Sequence, residues 1–191
     1  LYQCNQRRWI DGSTRIIGNR PTKRMKRLLL LFCLLLMNEG YANITPDFIE
    51  IPANEKMELP LPLPYERKEI SSNELISFIN DSKKGKQPLI IFGANWCPDC
   101  RTLEGTLQLP TVKKYMQENY SILHVDLGTY DINMSLLEVL GIPKQEGVPR
   151  VVIFDHKGKP LNLETNDRWR TARDSKQQEI FNYFQKYLLK P

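Results

Sequence analysis

Two cysteines at Cys97 and Cys100 follow an uncharged apolar run, Pro88–Ala94 (PLIIFGA), and open the stretch WCPDCRTLEGTLQ. Few features constrain a fold more. A short continuous β-rich run reads as a buried strand. The segment after it reads as a helix: Pro98 suits a first turn, where its missing N–H costs little, and Leu103 and Leu107 lie four apart. The pair therefore marks a strand-to-helix junction, and the chain around it must be of the α/β kind.

The flanking segments extend this pattern. Ser71 or Ser72 caps a helix through NELISFINDSKK, with Leu75, Ile76 and Ile79 as its apolar face and Phe78 alongside. Gly85 and Pro88 end it. TVKKYMQENY is a further helix, SILHVDLG a second strand, Asn133–Leu140 a short helix closed by Gly141 and Pro143, and VPRVVIFD a third strand. HKGKP is a turn and PLNLET an edge strand. The tail from Asp174 is an amphipathic helix with Ile180, Phe184, Tyr187 and Leu188 on one face. Helices alternate with strands first, and two strands meet around a turn later. The expected fold class is α/β, a central mixed sheet with helices on both faces, spanning residues 70–191. Residues 43–69 carry Pro60, Pro62 and Pro64 at alternate positions. They read as an extended Pro-rich arm or linker, a tether or a cover.

The formal net charge is +5. Of 27 basic and 22 acidic residues, eight basic and two acidic fall within 1–42, which leaves 19 and 20 over 43–191. The folded part is thus near neutral, and nucleic acid is excluded as an expected partner. Residues 25–42 account for the asymmetry. Lys26 and Arg27 precede ten uncharged apolar residues, Leu28–Met37, and then Gly40 and Ala42 as a small-residue exit. This is the pattern of a secretory signal cleaved after Ala42. As a helix the run covers ~15 Å, about half of a ~30 Å hydrocarbon core, so a spanning anchor is the weaker reading. No membrane association is expected beyond this segment. Residues 1–24 precede Met25 and are expected to be an upstream extension rather than a structured domain.

Removal of the signal would take Cys4 and Cys33 with it and leave Cys97 and Cys100 alone. A bridge between them closes a very short loop and restrains the unfolded chain little. Structural zinc needs four ligands. His124 and His156 are the chain's two histidines, and their spacing is not that of a zinc-finger pair. No metal and no organic cofactor are expected. A redox role fits better. A cysteine at a helix N-terminus faces unpaired backbone N–H groups and the positive end of the dipole, which favour a thiolate. A second cysteine one turn on can displace whatever the first captures.

WCPDC after an apolar strand resembles the active site of the thioredoxin superfamily. The resemblance covers about residues 70–190 and implies a cis-proline facing the cysteines before a later strand, a demand that Val148–Pro149 in EGVPRVVIFD meets. It implies that Cys97 is the attacking thiolate and Cys100 the resolving thiol. Trp96 would flank the site, and Val148 and Pro149 would line a peptide groove, Val148 through its backbone. Pro98 and Asp99 would tune acidity. Two departures stand out. Thioredoxins proper place a buried aspartate where this chain has Ile91, so either another acid serves Cys100 or its deprotonation is less efficient. And Asp99 puts a negative charge beside Cys97, worth ~1 kcal/mol at 4 Å in water and ~4 at an effective dielectric of 20. That is enough to oppose the helix and raise the Cys97 pKa. Arg150 is read as a solvated strand-end charge, with greeting of acidic substrates as the other option.

The expected function is an exported thiol–disulfide oxidoreductase of a bacterial periplasm, acting on the reducing side. Its partners would be disulfide-containing proteins or small-thiol substrates and an unidentified redox partner. A reading from another class stays open: a thioredoxin-fold binding, chaperone or assembly module in which the thiols are secondary.

Overall fold

Seven consecutive residues, Gln87–Gly93, form β1, and every one is buried. The computed structural model describes residues 47–82 and 85–189. The signal segment 25–42, the extension 1–24, Cys4 and Cys33 lie outside the described residues. Within them β1 is the middle strand of a three-stranded sheet ordered β2-β1-β3. β2 (Tyr120–Asp126) runs parallel to β1, with Gly93 opposite Asp126. β3 (Arg150–Ile153) runs antiparallel, with Phe92 opposite Arg150. A middle strand covered on both faces can be continuously apolar, which explains PLIIFG.

Helices flank this sheet in two groups. α1 (Ser72–Ser82) packs with β1 and with α4 (Ser135–Val139). α2 (Pro98–Leu107) packs with α3 (Pro110–Asn119), with α5 (Gln177–Tyr187) and with a 3-10 segment, Arg168–Asp174. α1 starts on a reciprocal cap. The Ser71 hydroxyl accepts the Glu74 N–H at 3.2 Å, and the Glu74 carboxylate takes the Ser71 N–H at 2.8 Å. Leu75 and Ile79 are buried, but Ile76 is 43% exposed, so it leaves the expected apolar face. One residue past Leu75 is ~100° around the helix, beyond the stripe that Leu75 and Ile79 share.

PLNLET is not an edge strand. It makes one isolated bridge, Phe154 with Pro160, and a 3-10 turn, Leu163–Thr165. The reason is Asn162. Its Oδ1 accepts the Ile153 N–H and its Nδ2 donates to the Val151 carbonyl, both at 2.8 Å. Leu161 N–H donates to the Ile153 carbonyl, and Val151 N–H to the Asn166 carbonyl. A side-chain amide thus stands in for a neighbouring strand, and the outer edge of β3 is closed against further pairing.

The Pro-rich stretch lies against the domain. Ile49 and Ile51 N–H groups donate to Gln185 and Gln178 on α5 at 2.7 Å. The Glu55 carboxylate takes the N–H and hydroxyl of Thr111 at the start of α3. The Arg101 guanidinium donates to the Leu61 carbonyl at 2.9 Å. Proline-rich chain lacks donors and forms no ladder of its own, so side chains of the domain hold it.

Candidate active site

The register of the sheet builds the site. Phe92 sits opposite Arg150, so the segment before β3 arrives beside the end of β1, where the cysteine stretch begins. Cys97 is the N-cap of α2, with Pro98 at its first position. Its Sγ accepts the Cys100 N–H at 3.2 Å and lies 3.6 Å from the Val148 carbonyl, to which its thiol can donate. The Val148–Pro149 peptide is cis, and both residues are buried. Both cysteines are free thiols; Cys97 is 3% exposed and Cys100 fully buried.

The two thiols differ sharply in acidity. Hydrogen bonding between Cys100 and Cys97 brings the Cys97 pKa down to about 7; burial opposes this, and the Cys100 and Asp99 N–H groups assist it. Burial, then the bond and charge of Cys97, push Cys100 far up. Asp99 does raise Cys97, but it does not govern the outcome. Its carboxylate accepts the Arg173 N–H at 3.0 Å and lies 3.4 Å from that guanidinium. A cation beside the carboxylate offsets its field at the sulfur.

Trp96 is 52% exposed beside the cysteines. Its Nε1–H donates to the Gly128 carbonyl at 2.7 Å, and its ring meets Tyr130 edge-on at 5.6 Å. The Tyr130 hydroxyl in turn accepts the Gly147 N–H at 3.1 Å, joining the Trp96 side of the site to the Val148 side. Gly147 has φ +109, a conformation that side chains rarely adopt, so the backbone there favours glycine; the nearest atoms to a Cβ would be the movable tip of Arg170.

Arg150 is not a solvated charge. It is 2% exposed and donates to the carbonyls of Gly147 (2.7 Å) and Glu146 (3.3 Å) and to Asn166 Oδ1 (3.1 Å). Burial lowers its pKa, with Asp167 acting against the shift. It therefore braces the loop ahead of Pro149 and cannot meet substrate. Ile91 is buried in the core and offers no acid.

Sequence reasoning passed over Tyr65, which the arm delivers to the site. It is 4% exposed. Its N–H donates to Asn95 Oδ1 (3.1 Å) and its carbonyl accepts Asn95 Nδ2–H (2.7 Å), so the cysteine loop itself pins it. Nothing local to Tyr65 signals this contact. Among the described residues no group of three or more His, Cys, Asp or Glu gathers as a metal site. His124 instead pairs with Glu104 at 2.8 Å.

A family model described as thioredoxin-like matches residues 81–156. A solved disulphide isomerase from Xylella fastidiosa Temecula1 is 30% identical, with a TM-score of 0.59 over 66% of this chain and 97% of its own. The chain belongs to the thioredoxin superfamily. A thioredoxin variant from Halobacterium salinarum NRC-1 is 21% identical over 64% of this chain and 91% of its own, TM-score 0.42. The oxidised C-terminal domain of DsbD from Neisseria meningitidis is 18% identical over 62% and 97%, TM-score 0.41. No curated protein sequence matches the chain significantly. Within this superfamily fold, an acidified thiol at a helix terminus with a second thiol one turn deeper is an arrangement able to exchange disulfides.

Proposed function

We propose that this protein is an exported thiol–disulfide oxidoreductase working on the reducing side. The observation that carries the reading is the geometry of one helix terminus: Cys97 caps α2, takes the Cys100 N–H and faces the Val148 carbonyl before cis-Pro149, while Cys100 lies buried one turn deeper. An acidity of Cys97 lowered to about 7 and of Cys100 pushed far up by burial agrees with it. Cys97 thiolate attacks a substrate disulfide, forming a Cys97–substrate bond and releasing one substrate thiolate. Cys100 then loses its proton and attacks Cys97 Sγ, which releases the second. The protein dithiol is oxidised and the substrate disulfide reduced. Exposed Trp96 and the backbone of Val148 form the docking side for an extended disulfide-bearing peptide, as the disulphide isomerase relative makes natural.

The same acidity supports the reducing direction. A strong oxidant holds its thiolate far below neutral, at ~3.5, whereas a reductant such as thioredoxin sits at ~7. Export rests on the signal pattern of residues 25–42 and joins the reading as part of the proposal, with residues 43–69 as an arm and 70–191 as the domain.

Cys97→Ser should abolish insulin reduction, and Cys100→Ala should accumulate covalent substrate adducts. Undiminished cellular function with neither thiol present would replace this reading with that of a binding module. A glutathione titration placing the couple near the strongest oxidants would reverse the direction.

A further inference from the structure

Gly93 ends β1 directly beneath the cysteines. A Cβ placed on it would lie 3.0 Å from Cys100 Sγ, and closer to the Tyr65 hydroxyl than any real Cβ contact. The phenol oxygen and the resolving sulfur thus border one point, in space that only glycine leaves open. The Tyr65 ring stands edge-on to His124 at 5.5 Å, and His124 is held by Glu104. The charged or titratable groups facing Tyr65 are Cys100, Glu104, Cys97 and Asp126, with His124 against its ring; Cys97 and Asp99 face Cys100. Ile91 places no carboxylate beneath this sulfur.

We infer that the Tyr65 hydroxyl is the hydrogen-bond donor that receives Cys100 as it ionises, so that the arm completes the resolving half of the site. This rests on the roles proposed for Cys97 and Cys100. Burial above all, with the negative groups around it, raises the Tyr65 pKa well above the usual phenol value, so the hydroxyl keeps its proton to donate. In the resolving step the Cys100 S–H bond breaks and its electron pair forms the Cys97–Cys100 bond. The Cys97–substrate bond breaks, its electron pair leaves on the departing sulfur, and the proton that Cys100 lost passes to solvent, from which a basic leaving thiolate takes one up and a weakly basic one does not. The Tyr65 O–H is intact before and after.

The test is single-turnover reaction with dithiobis-nitrobenzoate, using the full chain carrying Cys4→Ser and Cys33→Ser. The first release of coloured thiolate reports Cys97 attack, and the second reports Cys100 attack on the mixed disulfide. Tyr65→Phe should leave the first phase unchanged and slow the second about tenfold near neutral pH, moving its rising limb about one unit alkaline, as expected for losing a hydrogen bond to an ionised group. Tyr65→Leu should slow it at least as much. A first phase with the parent's rate and pH midpoint, together with the parent's cooperative urea unfolding, certifies a folded site in each variant. An unchanged second phase in Tyr65→Phe overturns the inference, above all if Tyr65→Leu alone is slow, because the ring would then act by filling space. A slowing that is the same at every pH with no displaced limb also overturns it. Absence of the first phase in the parent chain removes the Cys97 reading and this inference together.

Discussion

Cys100→Ala should make Cys97 a weaker acid, because the bond between the two thiols is the largest cause of its acidity. A hydrogen bond to an ionised group is worth ~1.5–3 kcal/mol net, and one pK unit is 1.36 kcal/mol. The pKa should therefore rise by about one to two units from its value of about 7. The N–H groups of residues 99 and 100 remain, so the shift stops near the ordinary thiol range of ~8.5. At neutral pH the thiolate fraction would drop from roughly one half to between about 3 and 10%. The assay is iodoacetamide modification of Cys97 across pH, read from the mass of its peptide so that Cys4 and Cys33 do not count. Buried Cys100 should not react in the parent chain. Coincident midpoints in the two chains would refute the reasoning and assign the acidity to the helix terminus alone. A practical corollary concerns the substrate trap, which uses this same variant and should capture best above about pH 8.

Three further outcomes follow from neighbouring groups. Asp99→Asn should move the Cys97 alkylation midpoint to lower pH by less than about one unit, since the charge it removes raises Cys97 but is offset by Arg173. Asn162→Ala should lower stability in urea by about 2–4 kcal/mol, because the Ile153 N–H and the Val151 carbonyl both lose their partner at the edge of β3; Asn162→Asp, which buries a carboxylate against the Val151 carbonyl oxygen, should cost at least as much at neutral pH. Burial pushes the Glu104 carboxyl up, yet its bonds and charge pairing with His124 and Gln108 leave it lower than usual. A carboxyl lowered in the folded state stabilises above its unfolded pKa of ~4.3, and that contribution disappears as pH falls through the folded value. Denaturation midpoints measured toward pH 3 should therefore decline more steeply for the parent chain than for Glu104→Gln.

What could be read from residues alone was what depends on neighbours in sequence. PLIIFGA declares a buried strand by its composition, Pro98 fits the first turn after it, and Ser71 with Glu74 spells a cap. Each is settled within one turn or one strand. Arg150 was misread because charge at a strand end is normally solvated; its burial depends on the carbonyls of Glu146 and Gly147 folding back and on Asn166, sixteen residues on. PLNLET alternates as an edge strand should, but periodicity cannot show that one asparagine will fill both hydrogen-bonding positions opposite β3. Cys97 was legible in kind and not in degree: Asp99 was visible in the sequence, whereas Arg173 beside it was not.

The arm is the strongest case of that limit and the most consequential for the site. Alternating leucine and proline from Leu59 to Pro64 tells only that the chain is extended. Whether it tethers or covers is decided by where its side chains end. Leu59 and Leu63 face solvent, while Leu61 and Met57 approach Gly105 on α2, the helix that carries both cysteines. Tyr65 then enters above Gly93, clamped by Asn95 from within the cysteine loop. The arm is thus held at both the flank of α2 and the loop before it. The segment that composition presents as least structured is packed beside Cys100 and clamped by Asn95, ahead of α1.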